Sequence, residues 1–402
     1  MSDASGLFAE ITRRVASGET LAVATIVDTR GSTPREVGAK MLIRPDGGIV
    51  GTIGGGCGEA DVWRAALDVI DTKLPMVVQV DLTEDMNLRT EAVCGGIMQI
   101  FVEPRYPAGA DAEAGAPPAG DGYSGAIGEA LQQRQAIALV TVVRASPFLQ
   151  RGARLLVTDA SSEGTLGALA VDALAVQAAR QALAGATDRP FRLPLHDAAG
   201  AELGEAFVEL YLPSPRLLIL GAGHIAQPLA KVAKLLDFEV VVLDDRAAFA
   251  NRARFPDADE VLAADFATTL ATYPVDRRTS IVLVTRGHQQ DVAALRTLAY
   301  SDAPYIGMIG SKRRVWTVLK LLHDEGVPPE KLLRIYAPIG IDVEAVTPAE
   351  IAVAIGAELV KLRRGGTAAS LSDAPRELFR KRLERMVTGG SASATGIGDY
   401  VA

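Results

Sequence analysis

Cys57 stands in a run of glycines, Gly54-Gly55-Gly56-Cys57-Gly58-Glu59, just ahead of a helical pattern. Peptide dipoles at a helix start favour a thiolate and lower the pKa of a cysteine placed there. Gly55 and Gly56 leave the sulfur uncovered and let a bulky ligand come close to the backbone. A thiolate is also a soft ligand suited to sulfur-rich transition-metal chemistry, which makes Cys57 the candidate metal contact. The bland alternative is a small cysteine packed in a tight loop. Cys94, followed by Gly95-Gly96, reads either as a second thiol or as a packed residue. Arg35, in Ser32-Thr33-Pro34-Arg35, is a bidentate phosphate ligand or an ordinary surface arginine.

A second chemical feature lies at Gly221-Ala222-Gly223-His224-Ile225-Ala226, between an apolar run at 217–220 and a helical pattern. This is a dinucleotide-binding turn with its third glycine replaced by Ala226. Gly221 permits the tight turn, Gly223 admits a diphosphate to the backbone, and Ala226 allows close packing of helix on strand. The helix start supplies amide donors and a favourable dipole for an anion. Asp244, about twenty residues on, is the expected acceptor for ribose hydroxyls. His224 either touches a phosphate or caps the helix. His288 and Asp291 follow the strand pattern at 280–284; the pair reads as a proton or metal relay, or Asp291 as a helix cap. Gly310-Ser311-Lys312-Arg313-Arg314 is a second anion-binding helix start, or ordinary solvated charge. Thr347 and Glu350 match a capping box and need no further role.

The elements that must position these groups fall into two patterns. From Arg216 onward, buried apolar runs alternate with helices, the signature of a parallel sheet and of a Rossmann-type α/β domain. Before it, the chain reads as an α+β domain made of two related halves. Ala22–Val27 is echoed at Ala138–Val143, Gly38–Ile43 at Gly152–Val157, and Gly51-Thr52-Ile53-Gly54 at Gly164-Thr165-Leu166-Gly167. Gln99–Pro104 is echoed roughly at Phe207–Pro213, and the common order makes chance a poor explanation. Ala168-Leu169-Ala170-Val171-Asp172 stands where the first copy has Gly55-Gly56-Cys57-Gly58-Glu59, so only the first half carries the thiol. The expected layout is an N-terminal domain over 1–213, its halves at 1–106 and 124–213 joined by a Pro/Gly/Ala-rich linker at 107–123. A Rossmann-type domain at 214–365 follows, then a basic helix and mobile tail at 366–402. The first hundred residues are expected to hold one helix, Glu59 to Thr72.

Composition bounds the function classes. With 402 residues, two or three domains are expected. A net charge of −8 speaks against a nucleic-acid surface. No apolar run is long enough to span a membrane, the N-terminus does not read as a signal peptide, and two cysteines cannot build a disulfide framework. The cytoplasm is the expected location.

Together these segments resemble the xanthine dehydrogenase accessory family (XdhC/CoxI), whose members assist the maturation of molybdenum hydroxylases. The resemblance rests on Gly31-Ser32-Thr33-Pro34-Arg35, the Cys57 loop, Cys94-Gly95-Gly96 and the Gly221 turn. It extends through Thr285-Arg286-Gly287-His288, Tyr305–Ser311, Ala337–Asp342 and Thr347–Ala352, spanning residues 10 to 363 apart from the linker. It implies an accessory factor without turnover of its own, and no catalytic residue is assigned. The implied cofactor is molybdopterin, in mononucleotide or dinucleotide form, protected in its sulfurated state and delivered to an apo-hydroxylase of the xanthine, aldehyde or carbon monoxide dehydrogenase type. A cysteine desulfurase as second partner and a homodimeric state go with this reading. The implied cofactor-binding set is Arg35, Gly55, Gly56, Cys57, Gly221, Gly223, His224, Ala226, Asp244 and His288. The alternative, favoured by the turn alone, is an NAD(P)-dependent oxidoreductase or a redox-sensing dinucleotide-binding protein.

Overall fold

The computed structural model describes residues 4–55, 57–82, 95–107, 123–197, 199–372, 376 and 379–381. They form two compact units, one ending at Pro213 and the other beginning at Ser214. The expected basic helix after 376 and the tail fall largely outside the described residues, as do most of the linker, Gly56, and Cys94. No helix among the described residues is long and apolar enough to cross a membrane.

The first unit holds two antiparallel five-stranded sheets. Strands β1 (Leu21–Arg30), β2 (Lys40–Ile43), β3 (Ile49–Gly51), β4 (Met76–Asp81) and β5 (Ile97–Arg105) form one, in the order β3-β2-β1-β5-β4. Strands β6 (Ile137–Ala145), β7 (Arg154–Val157), β8 (Ser162–Thr165), β9 (Phe191–His196) and β10 (Glu202–Tyr211) form the other, in the equivalent order β8-β7-β6-β10-β9. The four sequence echoes therefore reflect one supersecondary unit used twice. Helix α2 (Cys57–Thr72) follows β3, α3 (Ser124–Gln132) precedes β6, and α4 (Leu169–Gln181) follows β8.

Period-two alternation explains how strands buried along most of their length still have two distinct faces. Ala22, Ala24 and Ile26 pack under Val62, Ala66 and Val69 of α2, and Ala138, Val140 and Val142 pack under Val171, Ala175 and Ala179 of α4. Val27 of β1 and Val143 of β6 turn the other way and form one shared cluster with Phe101 of β5 and Phe207 of β10. Contrary to the expectation of one helix in the first hundred residues, α1 (Ala4–Ala16) is a second. Its stripe of Leu7, Phe8, Ile11 and Val15 is buried against Ile127, Ile137 and Tyr211 of the other half. Its partner surface thus comes from over a hundred residues along the chain, which local pattern does not reveal.

Buried charge also joins the halves reciprocally. Thr25 on β1 pairs with Lys40 and Phe101, as Thr141 on β6 pairs with Arg154 and Phe207, so Lys40 corresponds to Arg154 and Glu103 to Glu209. Lys40 Nζ lies 2.7 Å from Glu209, and the Arg154 guanidinium 2.6 Å from Glu103. Each half thus contributes a cation to the other's carboxylate, the pattern of an isologous dimer fused into one chain. Arg105 also reaches Glu103 at 2.6 Å. Burial acts to raise the Glu103 carboxyl, but Arg105 and Arg154 outweigh it and hold it far below the usual range.

In the second unit six parallel strands follow the order β13-β12-β11-β14-β15-β16, the dinucleotide-binding topology. These are β11 (Arg216–Leu220), β12 (Glu239–Asp244), β13 (Glu260–Ala263), β14 (Thr279–Leu283), β15 (Tyr305–Met308) and β16 (Ile335–Tyr336). Helices α5 (Ala226–Leu235) and α10 (Pro348–Arg364) bury Ala226, Leu229, Ala233 and Ile355 against one face. Helices α6 (Phe266–Leu270), α7 (His288–Leu298), α8 (Lys312–Asp324) and α9 (Pro329–Leu332) cover the other with Phe266, Leu295, Val318 and Leu332. With both faces covered, the central strands carry continuous apolar runs at Leu217–Leu220, Val240–Leu243 and Ile281–Leu283, as parallel strands do. The Thr347–Glu350 capping box opens α10 as expected.

Candidate functional site

In the first unit Cys57 is the first residue of α2; its side chain lies outside the described set. The loop before it is latched by Glu59. The Thr52 hydroxyl donates to Glu59 Oε1 at 2.6 Å, and the amides of Gly55 and Ile53 donate to the same oxygen at 2.8 and 3.2 Å. Burial acts to raise the Glu59 carboxyl, yet these donors prevail and keep it below its ordinary value. The second half keeps the latch: Thr165 donates to Asp172 at 2.8 Å and the Leu166 amide does so at 2.7 Å. Gly54 and Gly167 also donate to Thr52 and Thr165 alike, at 3.0 Å in each case. The two loops therefore have one architecture, and Ala170 occupies the second-copy position of Cys57.

Close approaches seat this loop. A Cβ on Gly54 would stand 2.3 Å from Pro34 Cγ, and one on Gly58 would stand 2.5 Å from Val80 Cγ1. The first contact joins the Cys57 loop to the Ser32–Arg35 loop, so Gly55 and Arg35 belong to neighbouring segments. Arg35 is exposed, and among the described residues its guanidinium has no ion-pair partner.

In the second unit Gly221, Gly223, His224, Ala226, Asp244 and His288 gather at the carboxyl edge of the parallel sheet, where open α/β sheets bind ligands. Gly221 has φ +106°, and a Cβ there would meet the Val284 carbonyl oxygen at 2.6 Å, so the turn folds tightly onto the end of β14. A Cβ on Gly223 would meet nothing within 4 Å, which leaves clear space over the turn. Helix α5 starts behind Ile225 with no side-chain cap, so its first amides remain available to an anion. His224 is exposed beside them, and His288 is exposed as the first residue of α7.

Asp244 does not stand open to a ribose. It is 2% exposed and both its oxygens are engaged within the chain. The amide of Ala222 donates to Oδ2 at 2.8 Å; Arg246 donates from Nε to Oδ1 at 2.8 Å and from a terminal nitrogen to Oδ2 at 2.9 Å. Burial acts to raise this carboxyl, but Arg246 and the backbone donors hold it at about 2. The side chain braces the turn from beneath.

Arg314 is likewise more than solvated charge. Its Nε and a terminal nitrogen reach Asp291 Oδ2 at 2.9 and 2.5 Å, and the same terminal nitrogen donates to the Thr285 hydroxyl at 3.0 Å. Thr285 donates in turn to Asp291 Oδ1 at 2.6 Å. Asp291 is fully buried, and that burial, despite Thr285 and Arg314, leaves its carboxyl raised. Asp291 is therefore neither a helix cap nor open to solvent with His288. Among the described residues no group of three or more His, Cys, Asp or Glu side chains could hold a metal ion. Spacing along the chain could not reveal the Asp291–Arg314 pair, which joins the first turns of α7 and α8. The Glu59 latch had a signal: an acid seven residues after the threonine in both copies.

Residues 217–359 match the family model described as the XdhC Rossmann domain, and residues 14–81 and 130–193 match that of the XdhC and CoxI family. The chain belongs to the XdhC/CoxI family. The paired matches of the second model fall one in each half of the duplicated unit. Among relatives of this XdhC/CoxI chain is a Bacillus subtilis protein named as a probable subunit of xanthine dehydrogenase. It is 27% identical over 348 residues, covering 86% of this chain and 94% of that one. An Escherichia coli relative named molybdenum cofactor insertion chaperone PaoD is 22% identical over 347 residues, covering 86% and 85%. A crystal structure from Bacillus halodurans described as a xanthine dehydrogenase superposes with a TM-score of 0.66 at 25% identity, covering 92% of this chain and 99% of that one.

Proposed function

We propose that this chain binds the molybdenum cofactor, shields its sulfurated form and delivers it to an apo-molybdenum hydroxylase. The observation that carries the reading is the contrast between two equivalent loops. Both keep the threonine–carboxylate latch, while only the first places a cysteine at the helix start. A latch retained without the thiol is architecture; a thiol retained on one latch alone is chemistry. The names of the relatives agree in kind, one being a cofactor insertion chaperone and another named for xanthine dehydrogenase.

The residues present fit the group. Molybdopterin carries a phosphate, for which the uncapped start of α5 and the clearance over Gly223 are suited. Ala226 packs the helix close to the sheet, and His224 and His288 flank the turn as further donors. When bound, the cofactor supplies a sulfur-ligated molybdenum centre. Within the first unit, taken by itself, Cys57 is suited to such a metal as a thiolate stabilised by the dipole of α2, with Arg35, Gly55 and Gly56 as the further residues assigned to the cofactor there. The client is a hydroxylase of the xanthine, aldehyde or carbon monoxide dehydrogenase type, a cysteine desulfurase supplies the sulfur, and the working state is a homodimer. A second reading has one observation in its favour: the strand order and turn equally suit the diphosphate of NAD(P).

Transfer provides the test. Cofactor-loaded protein is mixed with cofactor-free apo-hydroxylase and the hydroxylase activity gained is measured. The wild type is expected to activate it and Cys57→Ala to lose most of that ability. Equal cofactor retention and equal activation by Cys57→Ala would sink the assignment.

A further inference from the structure

Beyond the turn itself, the loops that flank it carry a part-exposed ion pair. In the sheet, β11 lies between β12 and β14, with Leu220 level with Leu243 and with Leu283. Asp245 follows directly on β12, and Arg286 lies three residues past β14. A terminal nitrogen of Arg286 donates to Asp245 Oδ2 at 2.7 Å. Strands in a sheet are about 4.8 Å apart, so β12 and β14 are separated by roughly twice that. The pair therefore bridges across the carboxyl end of β11, where the Gly221 turn begins. Both side chains are part-exposed, at 32% for Asp245 and 44% for Arg286. Solvated pairs of this kind contribute little to stability.

Asp244 is closed to a ligand, because Arg246 and the Ala222 amide occupy it. Arg246 is in turn fixed, doubly bonded to Asp244 and stacked 3.9 Å above the Phe249 ring. What remains at this edge, within reach of a nucleotide whose phosphates sit on the turn, is the Asp245 carboxylate, which pairs with Arg286 at 2.7 Å and lies 3.7 Å from Arg246 Nε, and the Arg286 guanidinium, which Gln290 also approaches at 3.2 Å.

We propose that Asp245 and Arg286 exchange partners when ligand binds: Asp245 accepts from the ribose hydroxyls of a nucleoside diphosphate group, and Arg286 donates to its phosphates. This rests on the reading of the Gly221 turn as a phosphate site and deepens it, by assigning a nucleotide-bearing ligand with unmodified ribose. Two adjacent carboxylates and an arginine already committed to Asp244 make the edge hostile to a 2′-phosphate. The exchange costs little, since a weak solvated pair is traded for charge-assisted bonds.

Isothermal titration of the full chain tests this with CDP, GDP and ADP, their 2′-deoxy forms, adenosine 2′-phosphate 5′-diphosphate, and inorganic diphosphate. Wild type is expected to prefer at least one ribonucleotide over its deoxy form by about ten-fold or more, the scale of a hydrogen bond to a charged group. The 2′-phosphorylated form should bind more weakly than ADP. Asp245→Ala and the size-conserving Asp245→Asn should erase the ribose preference while inorganic diphosphate still binds. Arg286→Ala should weaken every phosphate ligand about ten-fold and leave the ribose preference in place. If nucleotides bind but both Asp245 variants keep the wild-type ribose preference, this assignment falls and the phosphate-turn reading stands. If neither nucleotides nor inorganic diphosphate bind wild type, both fall.

Discussion

Two glycines, two residues apart in one turn, should respond to the same substitution in opposite ways. Gly221 has φ +106°, and an added Cβ would lie 2.6 Å from the Val284 carbonyl oxygen and 2.8 Å from its carbon. Backbone strain of this kind costs about 1–3 kcal/mol, and relieving the clash requires β14 or the turn to shift. For Gly221→Ala we expect a loss of about 3 kcal/mol, which for a unit of this size lowers Tm by roughly 6–12 °C. Gly223 has open space, with nothing within 4 Å of an added Cβ, so Gly223→Ala should change stability by no more than about 0.5 kcal/mol. That same methyl occupies the space a phosphate needs to reach the α5 amides. Calorimetric melting and titration with inorganic diphosphate are run on both variants. Gly223→Ala should melt like wild type and bind at least ten-fold more weakly, whereas Gly221→Ala should melt early. A Gly223→Ala protein that melts as early as Gly221→Ala, or binds diphosphate as wild type does, would refute the reasoning.

Three further outcomes follow from buried charge. Glu103→Gln leaves Arg105 and Arg154 buried without their counter-charge and should cost about 3–5 kcal/mol in urea unfolding. Asp244, held at about 2 in the fold against 3.8 ordinarily, contributes about 2 kcal/mol that is full above pH 4 and fades as pH falls toward 2. Asp244→Asn should therefore be less stable than wild type at pH 6, with the gap closing by pH 2 in denaturation curves. Arg314→Ala strands the Asp291 carboxylate; because the folded pKa of Asp291 is already raised, the penalty should be larger at pH 8 than at pH 5, as paired thermal melts would show.

Local signals made much of this legible. The four ordered echoes anticipated two related halves, because a repeated supersecondary unit repeats its turn residues and its alternation. The Gly221 turn between a buried run and a helix anticipated the parallel sheet. What stayed hidden was long-range. Helix α1 is held by residues of the other half, and the Asp291–Arg314 pair forms only when two crossovers pack side by side. Asp244 was the reasonable ribose acceptor on spacing alone. Arg246, two residues later, takes it, a competition visible only once side-chain direction is known. The equivalence of Glu59 and Asp172 was present in the aligned copies, but its meaning as a latch needed the hydrogen bonds.

The central claim is that the chain carries molybdenum cofactor, and iodine oxidation of the purified protein tests it most directly, since bound molybdopterin is converted to a fluorescent pterin. Wild type purified from a cofactor-producing host is expected to yield the fluorescent product, and Cys57→Ala markedly less. No pterin from wild type, together with a saturable fluorescence change on nicotinamide nucleotide titration, would contradict it.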